Sequence, residues 1–127
     1  MEELRILIVD DEEELVSALA ERLVLRGFQV ESATSGTDAL KLSRKRDFDV
    51  LVADVKMPGI GGLELTAAIK RHNPELPVIL FTGHGSVAEA ERGMQGGAFD
   101  YVMKPVDIDV LVEKIRKAAA RMGGGVS

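Results

Sequence analysis

Residues 5–14 read RILIVDDEEE, an apolar run that ends in five consecutive acids. A similar pattern, an apolar run closed by one polar residue, recurs in DVLVAD (49–54) and PVILFT (77–82). These three runs are apolar on consecutive positions, so both faces of each are predicted to be buried, as in parallel strands covered by helices on both sides. Two weaker runs, FQVES (28–32) and DYVM (100–103), complete a set of five predicted strands.

Longer amphipathic segments lie between and after these strands. They predict helices over residues 12–26, 36–46, 62–73, 86–95 and 107–122. Gly27 is the predicted C-terminal cap of the first helix, and Asp107 is the predicted N-cap of the last. A strand followed by a helix, repeated five times, predicts one α/β domain with a doubly wound parallel sheet.

Composition excludes several classes of protein. The chain has 127 residues, which suits one domain, and a formal net charge of −5, which disfavours direct binding to nucleic acid or an anionic membrane. The lack of cysteine rules out disulfides, zinc–thiolate sites and cysteine nucleophiles. We see neither a signal-peptide pattern nor an apolar stretch near the roughly 20 residues that span a bilayer, so a cytoplasmic protein is expected. The segment GGGVS (123–127) is expected to be a flexible tail or the start of a linker.

Polar residues cluster where the predicted strands end, which is where sites form in doubly wound sheets. They are Asp10 and Asp11 after the first strand, Asp54 after the third, Thr82 after the fourth and Lys104 after the fifth. Three carboxylates at one point repel one another unless a cation joins them, and Mg²⁺ is the usual cation where phosphate is handled. A lysine suits a phosphoryl group rather than a metal. The pattern predicts a site for Mg²⁺ and a phosphoryl group with a carboxylate nucleophile.

Four segments together carry a family resemblance: VDDEEE (9–14), LVADVKMPGIGGLEL (51–65), VILFTGHG (78–85) and GAFDYVMKP (97–105). They resemble the receiver domain of two-component response regulators, over residues 4 to about 121. FTGHG with GAFDYVMKP most resembles receivers of the sigma-54 activator, NtrC-like type. The resemblance implies a flavodoxin-like sheet with strand order 2-1-3-4-5 in a receiver domain over residues 1–122.

For the metal and the acceptor, the resemblance implies that Asp54 accepts the phosphoryl group. Asp10 and Asp11 would hold Mg²⁺, with Asp11 and Asp54 as direct ligands and the backbone carbonyl of Lys56 as a further one. By contrast, Glu12, Glu13 and Glu14 are expected in the first turn of the first helix, where the helix dipole favours acids, and to be dispensable for chemistry.

The resemblance also assigns the switch. Thr82 and Lys104 would bind phosphoryl oxygens, and the Tyr101 side chain would change rotamer with phosphorylation. The Lys104–Pro105 peptide bond is expected to be cis. Side chains two residues after the acceptor and two after the threonine, Lys56 and His84, would flank the water that hydrolyses the aspartyl phosphate and slow its approach.

The implied function is a signalling domain that catalyses its own Mg²⁺-dependent phosphorylation and dephosphorylation. A histidine kinase or histidine phosphotransfer protein would supply the phosphoryl group to Asp54. The surface of the fourth helix, fifth strand and fifth helix would then control an output domain or protein, and a homodimer formed on phosphorylation is compatible with this scheme.

Three other functions stay open on the residues alone. A Mg²⁺-dependent phosphatase or phosphotransferase is disfavoured because such enzymes usually carry the aspartate nucleophile on the first strand and have a capping insertion. A flavodoxin-like FMN binder is disfavoured because its phosphate loop should be rich in Ser, Thr and Gly, whereas this loop is acidic. A receiver-shaped interaction module that is never phosphorylated is disfavoured by the complete set of site residues.

Overall fold

The computed structural model describes residues 3–83 and 87–122 and contains one five-stranded parallel sheet. Its strands are β1 (Arg5–Val9), β2 (Gln29–Ala33), β3 (Val50–Asp54), β4 (Val78–Thr82) and β5 (Asp100–Met103). Its helices are α1 (Glu13–Leu25), α2 (Gly36–Lys45), α3 (Gly62–His72), α4 (Val87–Gln95) and α5 (Ile108–Met122). The strand order is β2-β1-β3-β4-β5, which confirms the flavodoxin-like α/β fold.

The burial of the strands follows the sequence pattern. Every residue of β3 and β4 is buried, and so are four of the five residues of β1, because these strands lie in the middle of the sheet with helices on both faces. The two edge strands, β2 and β5, are only partly buried. Both of them were predicted from weaker apolar runs, and their positions in the sheet explain that weakness.

Two hydrophobic clusters fill the two sides of the sheet. On one side, α1 and α5 contribute large aliphatic side chains such as Leu19, Leu23, Leu111 and Ile115. On the other side, residues of α2 and α3 such as Leu65 and Ile69 pack against alternate strand residues. The sheet is thus a shared core layer, and its carboxyl edge is left for polar groups.

Helix ends agree with the sequence. Gly27 has φ of +94°, and the N–H groups of Gly27 and Phe28 donate to the carbonyls of Val24 and Leu23, which closes the end of α1. At the start of α5, the Asp107 carboxylate accepts a hydrogen bond from Asp109 N at 2.9 Å, which confirms the predicted cap. None of the helices in the described ranges is long and apolar enough to cross a bilayer.

The loop after β3 turns back sharply onto the end of that strand. Gly62 begins α3, and its N–H donates to the carbonyl of Val55 at 2.9 Å. A Cβ at position 62 would lie 2.5 Å from the backbone carbonyl oxygen of Asp54, so a larger residue cannot fit without moving the strand end. The glycine therefore sets how closely α3 approaches Asp54.

Candidate functional site

Among the residues that the structure describes, three at the carboxyl edge of the sheet have buried polar side chains. Asp10 follows β1, Asp54 ends β3 and Thr82 ends β4, and their exposed fractions are 0%, 7% and 1%. The parallel register aligns these strand ends, since Val9 pairs with Ala53 and Asp54 pairs with Phe81. Burial of polar groups is costly unless they have partners, so their shared location marks a site.

Lys104 is the charged partner of the two buried acids. Its ammonium lies 3.0 Å from Asp10 Oδ2, 3.2 Å from Asp54 Oδ2 and 3.3 Å from Glu12 Oε1. One positive charge thus faces three carboxylates, so the group stays negative when all three are ionised. The residue stands directly after β5, two strands away from Asp54, and its long side chain crosses the sheet edge to reach the acids.

The pKa values reflect this crowding. Burial raises the pKa of Asp10 from 3.8 to about 6, with a further contribution from the charge of Asp54, although the Glu12 N–H and Lys104 act in the opposite direction. Burial alone would lower the pKa of Lys104, but its hydrogen bond to Asp10 and the charge of Asp54 raise it overall. Lys104 is therefore a permanent cation, whereas Asp10 can take up a proton in mildly acidic solution.

The carboxylates that the structure brings together are those of Asp10, Glu12 and Asp54, which offer oxygens within 4.8 Å of one another. Such oxygen donors fit a hard cation such as Mg²⁺. Asp11, the expected direct ligand, is exposed and does not belong to this cluster.

Glu12 was predicted to be dispensable and to lie in the first turn of α1. It instead precedes the helix in an extended conformation, and its N–H donates to Asp10 Oδ1 at 3.0 Å. This expectation was wrong about position, because the helix begins one residue later. The residue types alone gave no signal that favours Glu12 over Asp11, because the bend of the chain at Asp11 decides which carboxylate lies near Asp54.

The remaining predicted residues surround the acids. The Lys56 N–H donates to Asp54 Oδ1 at 3.3 Å, while its ammonium lies 3.3 Å from Glu89 Oε1 on α4. The Thr82 hydroxyl is 3.4 Å from the Gly83 carbonyl oxygen. His84 lies outside the described residues.

Tyr101 and Lys104 have different surroundings. Tyr101 is half-buried against the cluster packed under α2 and α3, whereas Lys104 reaches the acids at the sheet edge. The Lys104–Pro105 peptide bond is cis, as expected.

A doubly wound sheet with buried acids, a threonine and a lysine at its carboxyl edge has the groups that suit a divalent cation and a phosphoryl group. Comparison with known proteins gives the family: residues 6–116 match the response regulator receiver domain, and the chain belongs to that family. It is homologous to two-component response regulators, in which phosphorylation and Mg²⁺ binding are typical.

Comparisons with individual proteins support the same family assignment. The chain is 40% identical over 114 residues to the C4-dicarboxylate transport transcriptional regulatory protein DctD of Rhizobium meliloti, covering 89% of this chain and 25% of that protein. It superposes on a response regulator receiver domain protein from Clostridium thermocellum with a TM-score of 0.90, at 34% identity, covering 93% of this chain and 95% of the other. For NtrX from Brucella abortus the TM-score is 0.90 at 30% identity, covering 96% of this chain and 28% of the other. The chain spans between a quarter and a half of the length of the first curated relatives it matches.

Proposed function

We propose that this domain accepts a phosphoryl group on Asp54 in a Mg²⁺-dependent reaction. The observation that carries the proposal is the contact of Lys104 Nζ with Asp54 Oδ2 at 3.2 Å, beside two further carboxylates. That arrangement places a fixed positive charge where phosphoryl oxygens would arrive, next to a nucleophilic carboxylate. In this scheme an Asp54 oxygen attacks the phosphorus of a phosphohistidine, the P–N bond breaks, and the imidazole leaves with a proton from solvent.

Each residue of the site would have a separate role in this reaction. Lys104 would neutralise a phosphoryl oxygen, and the Lys56 N–H would help orient the Asp54 carboxylate that it already contacts. The buried Thr82 hydroxyl would turn from Gly83 to donate to a phosphoryl oxygen. Asp10, Asp11, Asp54 and the Lys56 carbonyl are the proposed Mg²⁺ ligands, with Glu12 close enough to join them. The metal would supply charge neutralisation at the phosphoryl group.

Phosphorylation changes the charge at Asp54 to about −1.5 to −2. We propose that Thr82 moves toward this charge and leaves space for Tyr101, which alters the surface of α4, β5 and α5. Lys56 and His84 would flank the hydrolytic water and lengthen the life of the phosphorylated state. In the structure the Lys56 ammonium lies beside Glu89, so it would have to leave that ion pair to block the water.

The proposed donor is a histidine kinase or histidine phosphotransfer protein, and the proposed output is transcriptional. The transcriptional regulators among the relatives support this output, and DctD and NtrX support a sigma-54-activator type of regulator. We propose residues 1–122 as the functional unit, with a homodimer formed on phosphorylation as one form of output. We propose that the protein is located in the cytoplasm, where such kinases act.

The test is the intact mass of the domain after incubation with acetyl phosphate and Mg²⁺. The wild type should gain one phosphoryl group, and Asp54→Asn should gain none. Asp38→Asn, the same chemical change at an exposed position on α2, should behave as wild type. An unchanged mass for the wild type, or a gain retained by Asp54→Asn, would overturn the proposal.

A further inference from the structure

Lys56 touches both the acceptor carboxylate and α4. Its backbone N–H donates to Asp54 Oδ1 at 3.3 Å, and its ammonium lies 3.3 Å from Glu89 Oε1. The Lys56 side chain is 68% exposed, whereas the Glu89 side chain is 26% exposed, so the ion pair forms on the partly shielded flank of α4. One residue therefore joins the acceptor to a helix that is remote in sequence.

The helix that Glu89 belongs to is held by small residues. The buried residues of α4 are Ala90 and Gly93, and a Cβ at position 93 would lie 2.3 Å from Leu80 Cδ1. Val87 and Met94 on the same helix are 42% and 38% exposed. Small contacts of this kind bury little apolar area, so even the modest free energy of a surface ion pair can affect the position of the start of α4.

Phosphorylation would give Lys56 a competing partner. A phosphoryl group carries about −1.5 to −2 charge and three strong acceptor oxygens, whereas Glu89 carries one charge. The group would sit on the carboxylate that Lys56 N–H already contacts. Because Lys56 lies only two residues after Asp54 in the chain, its ammonium can turn toward a phosphoryl group on Asp54.

We infer that Glu89 is a positioning residue: it holds the Lys56 ammonium away from Asp54 in the unphosphorylated domain and releases it, together with α4, when the phosphoryl group arrives. This inference rests on the proposed phosphorylation of Asp54. It assigns to one ion pair the task of coupling the charge at the acceptor to the placement of α4.

The experiment compares Glu89→Gln with Glu91→Gln, the same change at an exposed position of the same helix. Glu89→Gln should tighten the binding of beryllofluoride in Mg²⁺ about two- to fivefold, because Lys56 no longer has to leave a partner. Without beryllofluoride, the amide resonances of residues 87–95 should shift partway toward their positions in the bound wild type. Glu91→Gln should match wild type in both measurements.

Measurements in a Lys56→Gln background distinguish the effect of losing the ion pair from other effects of replacing Glu89. In that background, adding Glu89→Gln should change neither beryllofluoride affinity nor the α4 resonances. Equal behaviour of Glu89→Gln and Glu91→Gln, or an effect of Glu89→Gln that persists without Lys56, would overturn the inference. The proposed function fails separately, if the wild type neither gains a phosphoryl group from acetyl phosphate nor binds beryllofluoride.

Discussion

Replacement of Asp10 by asparagine should stabilise the metal-free domain. Asp10 is fully buried and its pKa is raised from 3.8 to about 6, chiefly by burial, so its ionised form is less favourable in the folded chain than in the unfolded chain. At 1.36 kcal/mol per pKa unit, this rise corresponds to about 3 kcal/mol at pH 7. Asparagine has the shape of the neutral acid and keeps an oxygen for the Glu12 N–H. Lys104 retains Asp54 and Glu12 as partners.

The sign of the pH dependence follows from the same shift. Between pH 3.8 and about 6 the folded wild type binds more protons than the unfolded chain, so its free energy of unfolding falls as pH rises through this window. The Asp10→Asn variant lacks this titrating carboxyl group, so its free energy of unfolding lacks this dependence on pH. The two proteins should therefore differ little near pH 4 and differ most, by up to about 3 kcal/mol, above pH 6.

The assay is urea unfolding at pH 4.5 and pH 7.5 in EDTA, with equal m-values required for the comparison. Asp11→Asn is the matched control, because the same change at this exposed neighbour should alter the free energy of unfolding by less than about 0.5 kcal/mol. Saturating Mg²⁺ should reverse the order by stabilising wild type more than Asp10→Asn. If Asp10→Asn is the less stable protein at pH 7.5 in EDTA, the attribution of the raised pKa of Asp10 chiefly to burial is wrong.

Four further outcomes are expected. Mg²⁺ affinity of wild type should fall about tenfold between pH 7 and pH 5, since protons compete for Asp10, and calorimetry at both pH values checks this. Thr82→Ala should still gain a phosphoryl group, but amide shifts over residues 87–103 on beryllofluoride binding should shrink; wild-type shifts would contradict the proposed link. Gly62→Ala should lower the free energy of unfolding by about 1–3 kcal/mol in urea, because its Cβ meets the Asp54 carbonyl oxygen; an unchanged midpoint would show that the loop yields easily. His84→Ala should shorten the phospho-Asp54 lifetime severalfold in a phosphate-release time course, and equal or slower decay would refute shielding of the water by His84.

Much of the fold could be predicted because each strand carries its own signal. The consecutive apolar residues of RILIV and PVILF predicted central strands, and both are buried as expected. Element boundaries shifted by about one residue. For β2 the predicted range 28–32 became Gln29–Ala33, because Phe28 packs into the core before the sheet hydrogen bonding of the strand begins.

The candidate site was predictable to the extent that strand ends define it. Asp10, Asp54 and Lys104 meet because parallel strands end at one edge, which needs only the topology. The choice between Asp11 and Glu12 depends instead on how the chain turns between β1 and α1, and side-chain chemistry does not specify that turn. The contact of Lys56 with Glu89 is equally hard to predict, since it joins the loop after β3 to helix α4, and only packing fixes the distance between them.

The position of Lys104 has a consequence for the folded domain as a whole. Its ammonium contacts Asp10 after β1 and Asp54 at the end of β3, so an ion pair joins the chain after β5 to two strands with which β5 does not pair. A displacement of the chain after β5 would therefore also break ion pairs at the ends of β1 and β3. Lys104 thus couples the edge of the sheet to its centre, in addition to its proposed role toward a phosphoryl group.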